Sequence, residues 1–297
     1  MTQQDIAACA HEAVEAWRNR RYRRRPELRL VRQEQALEFV NDVGFCFLFP
    51  ESGVEIPTLW EAICGERRPI PIRHHDDRAL GYAWHWKDEL PSRGQVHYGK
   101  LLRRKPMLVS LELLPHFYAL SENYGDLEDY RLEYQEGRLS DEARRVYEAL
   151  LEHGAMPTSH LRRKAGLAGK GSAGRFDRAI TELQVGMKIV KTGISDANAW
   201  KYCYVYDVLM RHWPALSETA GAISRLEARQ TLVLRHVHNV GLASLGDLAR
   251  LFRWDRELLL EACERLVSSG QLCRVGETQD GPGETIAWPA LLCGGAP

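Results

Sequence analysis

The segment from Leu139 to Asp207 writes out three amphipathic helices and then a two-stranded ribbon, and few folds accept that order. Ser140-Asp141-Glu142 opens the first helix with negative charge at its positive end. Ala143, Val146, Tyr147, Leu150 and Leu151 then fall on one stripe that Gly154 closes. A second helix starts at Thr158/Ser159, turns Leu161 and Ala165 inward and stops at Gly166. Ser172 caps a third, with Phe176, Ala179, Ile180 and Leu183 on its apolar face. Met187–Lys191 and Lys201–Asp207, joined by a polar tip from Gly193 to Asn198, supply the ribbon. This is the order of a winged helix, in which the third helix enters the major groove while the second helix and the wing lie along phosphates.

Charge singles out the same segment. From Ala155 to Lys191, Arg162, Arg163, Lys164, Lys170, Arg175, Arg178, Lys188 and Lys191 stand against only Asp177 and Glu182, a local balance of +6 on a chain whose 40 basic and 40 acidic residues cancel. A compact basic patch on a neutral chain points to a polyanion, double-stranded DNA in a winged helix. The alternative is a solvated helical face.

The pattern recurs near the C-terminus. Ile223, Leu226, Val233, Leu234 and Val237 make a stripe ending at Gly241, and Ser244 with Asp247 opens a short helix carrying Leu245, Leu248 and Leu251. Asp255 starts a third helix with Leu259, Ala262, Cys263, Leu266 and Val267 inside, followed by strand-like Gln271–Val275, a Gly/Pro-rich tip and Glu284–Trp288. That third helix carries Asp255, Glu257, Glu261 and Glu264 against Arg256 and Arg265, so it repels phosphate and suits a protein partner. The expected fold is mainly α with small β-hairpins, an α+β chain of tandem winged-helix modules: an N-terminal helical domain over 1–135, a basic module over 136–214 and an acidic one over 221–291.

At 297 residues and 44% hydrophobic, the chain can bury cores for two or three such units. No run reaches the roughly twenty apolar residues of a membrane span, and Met1-Thr-Gln-Gln-Asp has no export character, which predicts a cytoplasmic protein without membrane contact. Seven scattered cysteines, Cys9, Cys46, Cys64, Cys203, Cys263, Cys273 and Cys293, contain no Cys-x-x-Cys and suggest neither a disulfide frame nor a zinc site. His74-His75-Asp76-Asp77 is a poor metal cluster because adjacent side chains diverge on any regular element. No metal or cofactor is expected.

The N-terminal third holds three chemical candidates. Residues 18–25 place six arginines around Tyr22, either an arm on nucleic acid or a solvated helix end. Arg103 and Arg104, with Lys100 and Lys105, could extend the basic surface. Trp84-His85-Trp86-Lys87-Asp88-Glu89 crowds aromatic walls, a histidine, an amine and two carboxylates, the mixture that base recognition and acid/base chemistry require; a buried tryptophan pair at a charged helix end would read the same way.

Tandem winged helices after a domain that opens Gln35-Ala-Leu-Glu-Phe-Val-Asn-Asp-Val-Gly-Phe45 resemble the AlkZ/YcaQ-type DNA glycosylases. Gly44–Pro50, Leu59–Ala62, Trp86–Leu90, Tyr98–Leu102 and Tyr118–Tyr124 resemble, more narrowly, the AlkZ-related proteins. The likeness spans most of residues 35 to 213. It implies an ancestry in enzymes that remove modified purines, and a Gln-x-Gln or Gln-x-Asp pair after the first helix. Laying Gly44-Phe45 on that pattern puts Phe47 and Phe49 at the two polar positions, and phenylalanine neither takes a proton nor holds a water.

Three readings follow. In the first the chain binds damaged or distorted duplex, with Phe47 and Phe49 as core or stacking surface. In the second it is a DNA N-glycosylase that uses Asp88 or Glu89 as base, His85 to orient it, and Trp84 or Trp86 to stack on an extruded base. In the third it is an interaction protein acting through its acidic C-terminal module.

Overall fold

The fold is known from a computed structural model that describes residues 3–71, 77–275 and 285–292, with side chains described from residue 11 to residue 291. Two compact units emerge: residues 85–224 form one, and residues 1–84 together with 225–297 form the other. The span 1–135, expected as one domain, is therefore divided between them. His74, His75, Asp76, the tip after Val275 and the side chains of Cys9 and Cys293 lie outside the described residues. Among the described residues no helix is long and apolar enough to cross a membrane.

The chain starts with α1 (Gln3–Arg21), α2 (Gln33–Val43), β1 (Phe45–Phe47) and α3 (Leu59–Cys64), and α4 (Arg78–Ser92) carries it from one unit into the other. In the second unit, β2 (Val96–Gly99) and β3 (Met107–Ser110) form an antiparallel hairpin, pairing Val96 with Ser110 and Gly99 with Met107. Two short helices follow, α5 (Leu114–Leu120) and α6 (Asp129–Gln135).

The stretch read as three helices and a ribbon folds as α7 (Asp141–His153), β4 (Met156–Pro157), α8 (Thr158–Lys164), α9 (Ala173–Val185), β5 (Ile189–Ser195) and β6 (Cys203–Val208), and it closes with α10 (Leu209–His212) and α11 (Leu216–Gly221). The strand β4 is too short to announce itself in sequence; it pairs Met156 with Tyr206 and completes an antiparallel sheet ordered β4-β6-β5. The ribbon is longer than expected because a bulge between Lys191 and Gly193 lets β5 run on to Ser195.

Local rules explain the helix ends. The Ser140 hydroxyl accepts the Ala143 N–H at 3.2 Å, and Gly154 at φ +77° takes a conformation that side chains resist, ending α7. Ser172 differs from expectation: it precedes α9 without capping it, and its hydroxyl instead donates to the carbonyls of Leu167 and Gly169. Val146, Leu150, Leu161, Phe176, Ala179 and Leu183 meet in one core, each at most 1% exposed. Truncating one of the leucines to alanine there would cost about 2–5 kcal/mol.

The chain then returns to the first unit through α12 (Arg225–Val240), β7 (Leu242–Ser244), α13 (Leu245–Phe252), α14 (Arg256–Ser268), β8 (Cys273–Val275), β9 (Thr285–Ala287) and α15 (Pro289–Leu292). Its sheet runs β7-β9-β8, so helix–strand–helix–helix–strand–strand occurs twice with the last strand central each time. The Ser244–Asp247 capping box forms as read, with hydroxyl and carboxylate satisfying each other's backbone N–H. Gly241 ends α12 at φ +76°, where a Cβ would meet Leu291 at 2.5 Å and Trp17 at 3.2 Å. Only glycine lets α1 and the C-terminal turn pack there.

Candidate functional site

The basic candidates divide by burial. On α8 and the segment leading into α9, Arg163, Lys164 and Lys170 are exposed, as are Arg175 and Arg178 on the face of α9 opposite Phe176 and Ile180. Arg175 has a loose pairing with Glu142 at 3.6 Å. For Arg163, Lys164, Lys170 and Arg178 no carboxylate lies within ion-pair distance among the described residues. Arg162 is half-buried, its guanidinium over the Phe176 ring and its Nε donating to the Leu167 carbonyl at 3.4 Å.

Of the two acids counted against this patch, Glu182 is turned away. Its carboxylate accepts the Ser140 N–H at 2.7 Å and the Ser140 hydroxyl at 2.6 Å, which places it at the N-terminus of α7. Asp177 alone stays exposed beside the arginines.

Lys188 and Lys191 were counted with the phosphate-facing cations, and burial removes them. Lys188 is 4% exposed and paired with Glu133 at 3.0 Å. Lys191 is fully buried, because the register of β5 turns it inward, where its ammonium bonds Asp88 and the Lys87 carbonyl. Arg103 and Arg104 sit in left-handed turns at φ +52° and +57°, with Arg104 exposed. The same loop comes against α9 through Lys100, whose ammonium donates to the Thr181 hydroxyl at 3.0 Å.

The crowded segment on α4 does not form one cleft. Trp84 and His85 face solvent, Trp86 is 3% exposed on the opposite side, and Glu89 pairs with Arg93 at 3.1 Å. Successive side chains are rotated by about 100° along a helix, so neighbours in sequence point apart. Of the residues given roles around an extruded base, Trp86 is removed by burial, while Trp84 and His85 stay on the exposed side.

Asp88 is instead the centre of a buried ionic cluster. One carboxylate oxygen accepts from Lys87 Nζ at 2.8 Å and from Lys191 Nζ, and the other accepts the Tyr202 hydroxyl at 2.7 Å. Lys87 also donates to the hydroxyls of Tyr202 at 2.6 Å and Tyr204 at 3.1 Å. The Lys191 ammonium lies 4.4 Å from the ring centres of both Tyr98 and Tyr204. Burial raises the Asp88 pKa, but the two ammonium groups outweigh it and hold the carboxyl below its usual range. Burial pulls Lys191 down to about 8, with Asp88 opposing that shift and Lys87 adding to it.

Two ammonium groups and a phenol bonded to a carboxylate whose pKa is held low make Asp88 a weak base. Its geometry is that of a counter-ion to Lys87 and Lys191. Sequence reading set Lys87 beside Asp88 but missed Tyr202 and Tyr204 as members of this cluster, although the Tyr202, Tyr204, Tyr206 alternation running into β6 was the signal that they share a face.

Phe47 is 1% exposed, and its backbone N–H donates to the Pro57 carbonyl at 3.0 Å. It is core and cannot stack on a base. Phe49 is half-buried with its ring 6.1 Å from that of Trp60.

The arginine-rich 18–25 segment is likewise no free arm. Arg18 Nε donates to the Val240 carbonyl at 2.8 Å, Arg21 bonds Asp42 and the Asn239 side chain at 2.8 and 2.9 Å, and Arg24 pairs with Glu61 at 2.8 Å. Tyr22, in the middle, is fully buried. These charges tie α1 to α2 and α12. Also missed is Trp200, 88% exposed at the ribbon's tip, a place where composition suggested only a polar turn.

Comparison with known proteins follows the architecture. A family model described as AlkZ related matches residues 30–253. The solved structure of the Streptomyces sahachiroi DNA glycosylase AlkZ is similar with a TM-score of 0.57 at 14% identity, over 96% of this chain and 72% of that one. No curated protein matches the sequence.

Proposed function

This chain belongs to the AlkZ-related family, and from that premise we propose that it binds double-stranded DNA, recognising damaged or distorted duplex, without the polar pair of the related glycosylases. Its two helix–strand–helix–helix–strand–strand modules are read here as winged helices, the central one carrying the DNA surface. The observation that carries this reading is the set of exposed cations on α8, α9 and the segment between them, while the neighbouring Lys188 and Lys191 are consumed inside. Glu182, spent on the cap of α7, leaves the α9 face more positive than its sequence suggests.

Catalysis by the groups considered from sequence has no support in the geometry. His85 faces solvent, Asp88 is held by Lys87, Lys191 and Tyr202, and Glu89 is paired with Arg93. The chain is accordingly read as a DNA-binding descendant of glycosylases rather than a working one.

The test is a fluorescence anisotropy titration of a duplex of about 20 base pairs at several salt concentrations. Each neutralised phosphate contributes a slope of about −0.9 in log K against log salt. A measurable slope that Arg163→Ala, Lys164→Ala, Arg175→Ala and Arg178→Ala together flatten supports the proposal; absence of binding at low salt ends it. In parallel, alkylated duplex incubated with the protein should yield no abasic sites, and release of modified base would restore the enzyme.

The exposed Glu257, Glu261 and Glu264 on α14 favour a second role for the C-terminal module, the docking of a protein partner. Deleting residues 221–297 is not a clean test, because α12 and α2 share a unit. Charge reversal of those three glutamates, followed by pull-down, is.

A further inference from the structure

Trp200 is the most exposed large apolar side chain among the described residues, at 88%. Its backbone is held in place. The Asn198 side-chain oxygen accepts the N–H groups of Trp200 and Tyr202 at 3.1 and 3.0 Å, and the Asn198 amide donates to the Tyr202 carbonyl at 2.6 Å. Lys201 takes a left-handed conformation at φ +51° to complete the turn. The fold thus fixes a tip from which an indole projects into water, although a smaller polar residue would serve a simple turn better.

The surroundings say what that indole could meet. The Ala197 carbonyl on the tip accepts the Ser159 hydroxyl at 2.6 Å, which seats the tip on the N-terminal turn of α8. Arg163 follows Ser159 by four residues and so occupies the same helical face. A surface pocket there is lined by Met156, His160, Arg163 and Lys164. Lys201, next to the indole, is exposed, and Asp196 is the tip's one carboxylate. A flat π surface flanked by cations suits a nucleobase that is joined to phosphates. In intact duplex the faces of the bases are covered by their neighbours, so an indole can stack only where a base is unpaired, bulged or beside a gap.

We propose that Trp200 stacks on an unstacked base and is the element that distinguishes distorted from intact duplex, while Arg163, Lys164 and the α9 arginines hold the flanking phosphates. This rests on the DNA-binding reading above and specifies its substrate. The wing then reads the state of the bases as well as following the backbone.

The experiment compares two fluorescein-labelled duplexes at one salt concentration, one intact and one with a single bulged adenine, each titrated with the full chain. Wild-type protein should prefer the bulged duplex by roughly tenfold, the effect expected of one stacked base. Trp200→Ala should remove the preference and leave the Kd for intact duplex within about twofold; Trp200→Phe should keep most of it. Both variants should melt like wild type, because the side chain makes little contact. A preference that survives Trp200→Ala overturns the inference. So does a wild type that binds both duplexes equally, a result that leaves the DNA-binding reading standing; failure to bind either duplex removes both.

Discussion

Asp88 on α4 and Lys191 on β5 form an ion pair whose lysine is wholly buried, with Lys87 and Tyr202 supplying the remaining bonds to the same carboxylate. Two cations around one anion make the cluster unequal in its dependence on its members. Removing the anion strands two buried ammonium groups, whereas removing Lys191 leaves Lys87 to neutralise Asp88.

Asp88→Asn should accordingly destabilise the fold by about 3–5 kcal/mol, the usual cost of a stranded buried charge, while Lys191→Met should cost clearly less. Urea denaturation of the two variants measures this. Equal losses, or a larger loss for Lys191→Met, would contradict the role of Asp88 as the shared counter-ion.

Exposure should separate cations that act on DNA from cations that act on the fold. Arg178→Ala should lower the salt slope of duplex binding by about 0.9 with the Tm almost unchanged. Lys188→Met should do the reverse, lowering the Tm because Glu133 loses its buried partner and leaving the slope of the folded protein as it was.

In the other unit, Arg24 and Glu61 pair at 2.8 Å with side-chain exposures of 5% and 6%. Arg24→Ala should cost about 3–5 kcal/mol, and adding Glu61→Gln to it should return part of the loss, because no buried charge then remains. A double variant less stable than Arg24→Ala would show that the pair is not the source of the effect.

Two buried histidines set a pH dependence. Burial, with Arg18 adding to it, pulls His236 down to about 3, and burial, with His212 adding, pulls His97 down to about 4. Both folded values lie below the unfolded value of 6.5, so the unfolded chain takes up protons first. Their stabilising contribution is complete above pH 6.5 and falls as the pH drops toward the folded values, by about 1.4 kcal/mol per pH unit for each histidine. Melting between pH 7.5 and 5 should show the decline, and His236→Phe should make it shallower; an unchanged slope would mean that His236 protonates within the fold.

The site was harder to read than the helices for a reason visible in particular residues. Lys188 and Lys191 belong to the same run of basic residues as Arg175 and Arg178, yet strand register turns Lys191 inward while helical phase leaves the two arginines outside. Trp84 through Glu89 are adjacent in sequence, but helical rotation sends their side chains to different sides of α4. On α4 only Lys87 and Asp88 enter the ionic core, and they do so by meeting residues more than a hundred positions away.

What the sequence determined by itself was a set of features governed by spacing and caps: the α7 stripe closed by Gly154, the Ser244–Asp247 box, and the second occurrence of the helix and ribbon order. Those signals are local, since each depends on residues within a turn or two of one another. Tertiary structure alone decided which charges face water. It buried Asp88 between Lys87 and Lys191, bound the 18–25 arginines into the fold and left Trp200 outside, because burial is set by contacts between distant segments that no local pattern records.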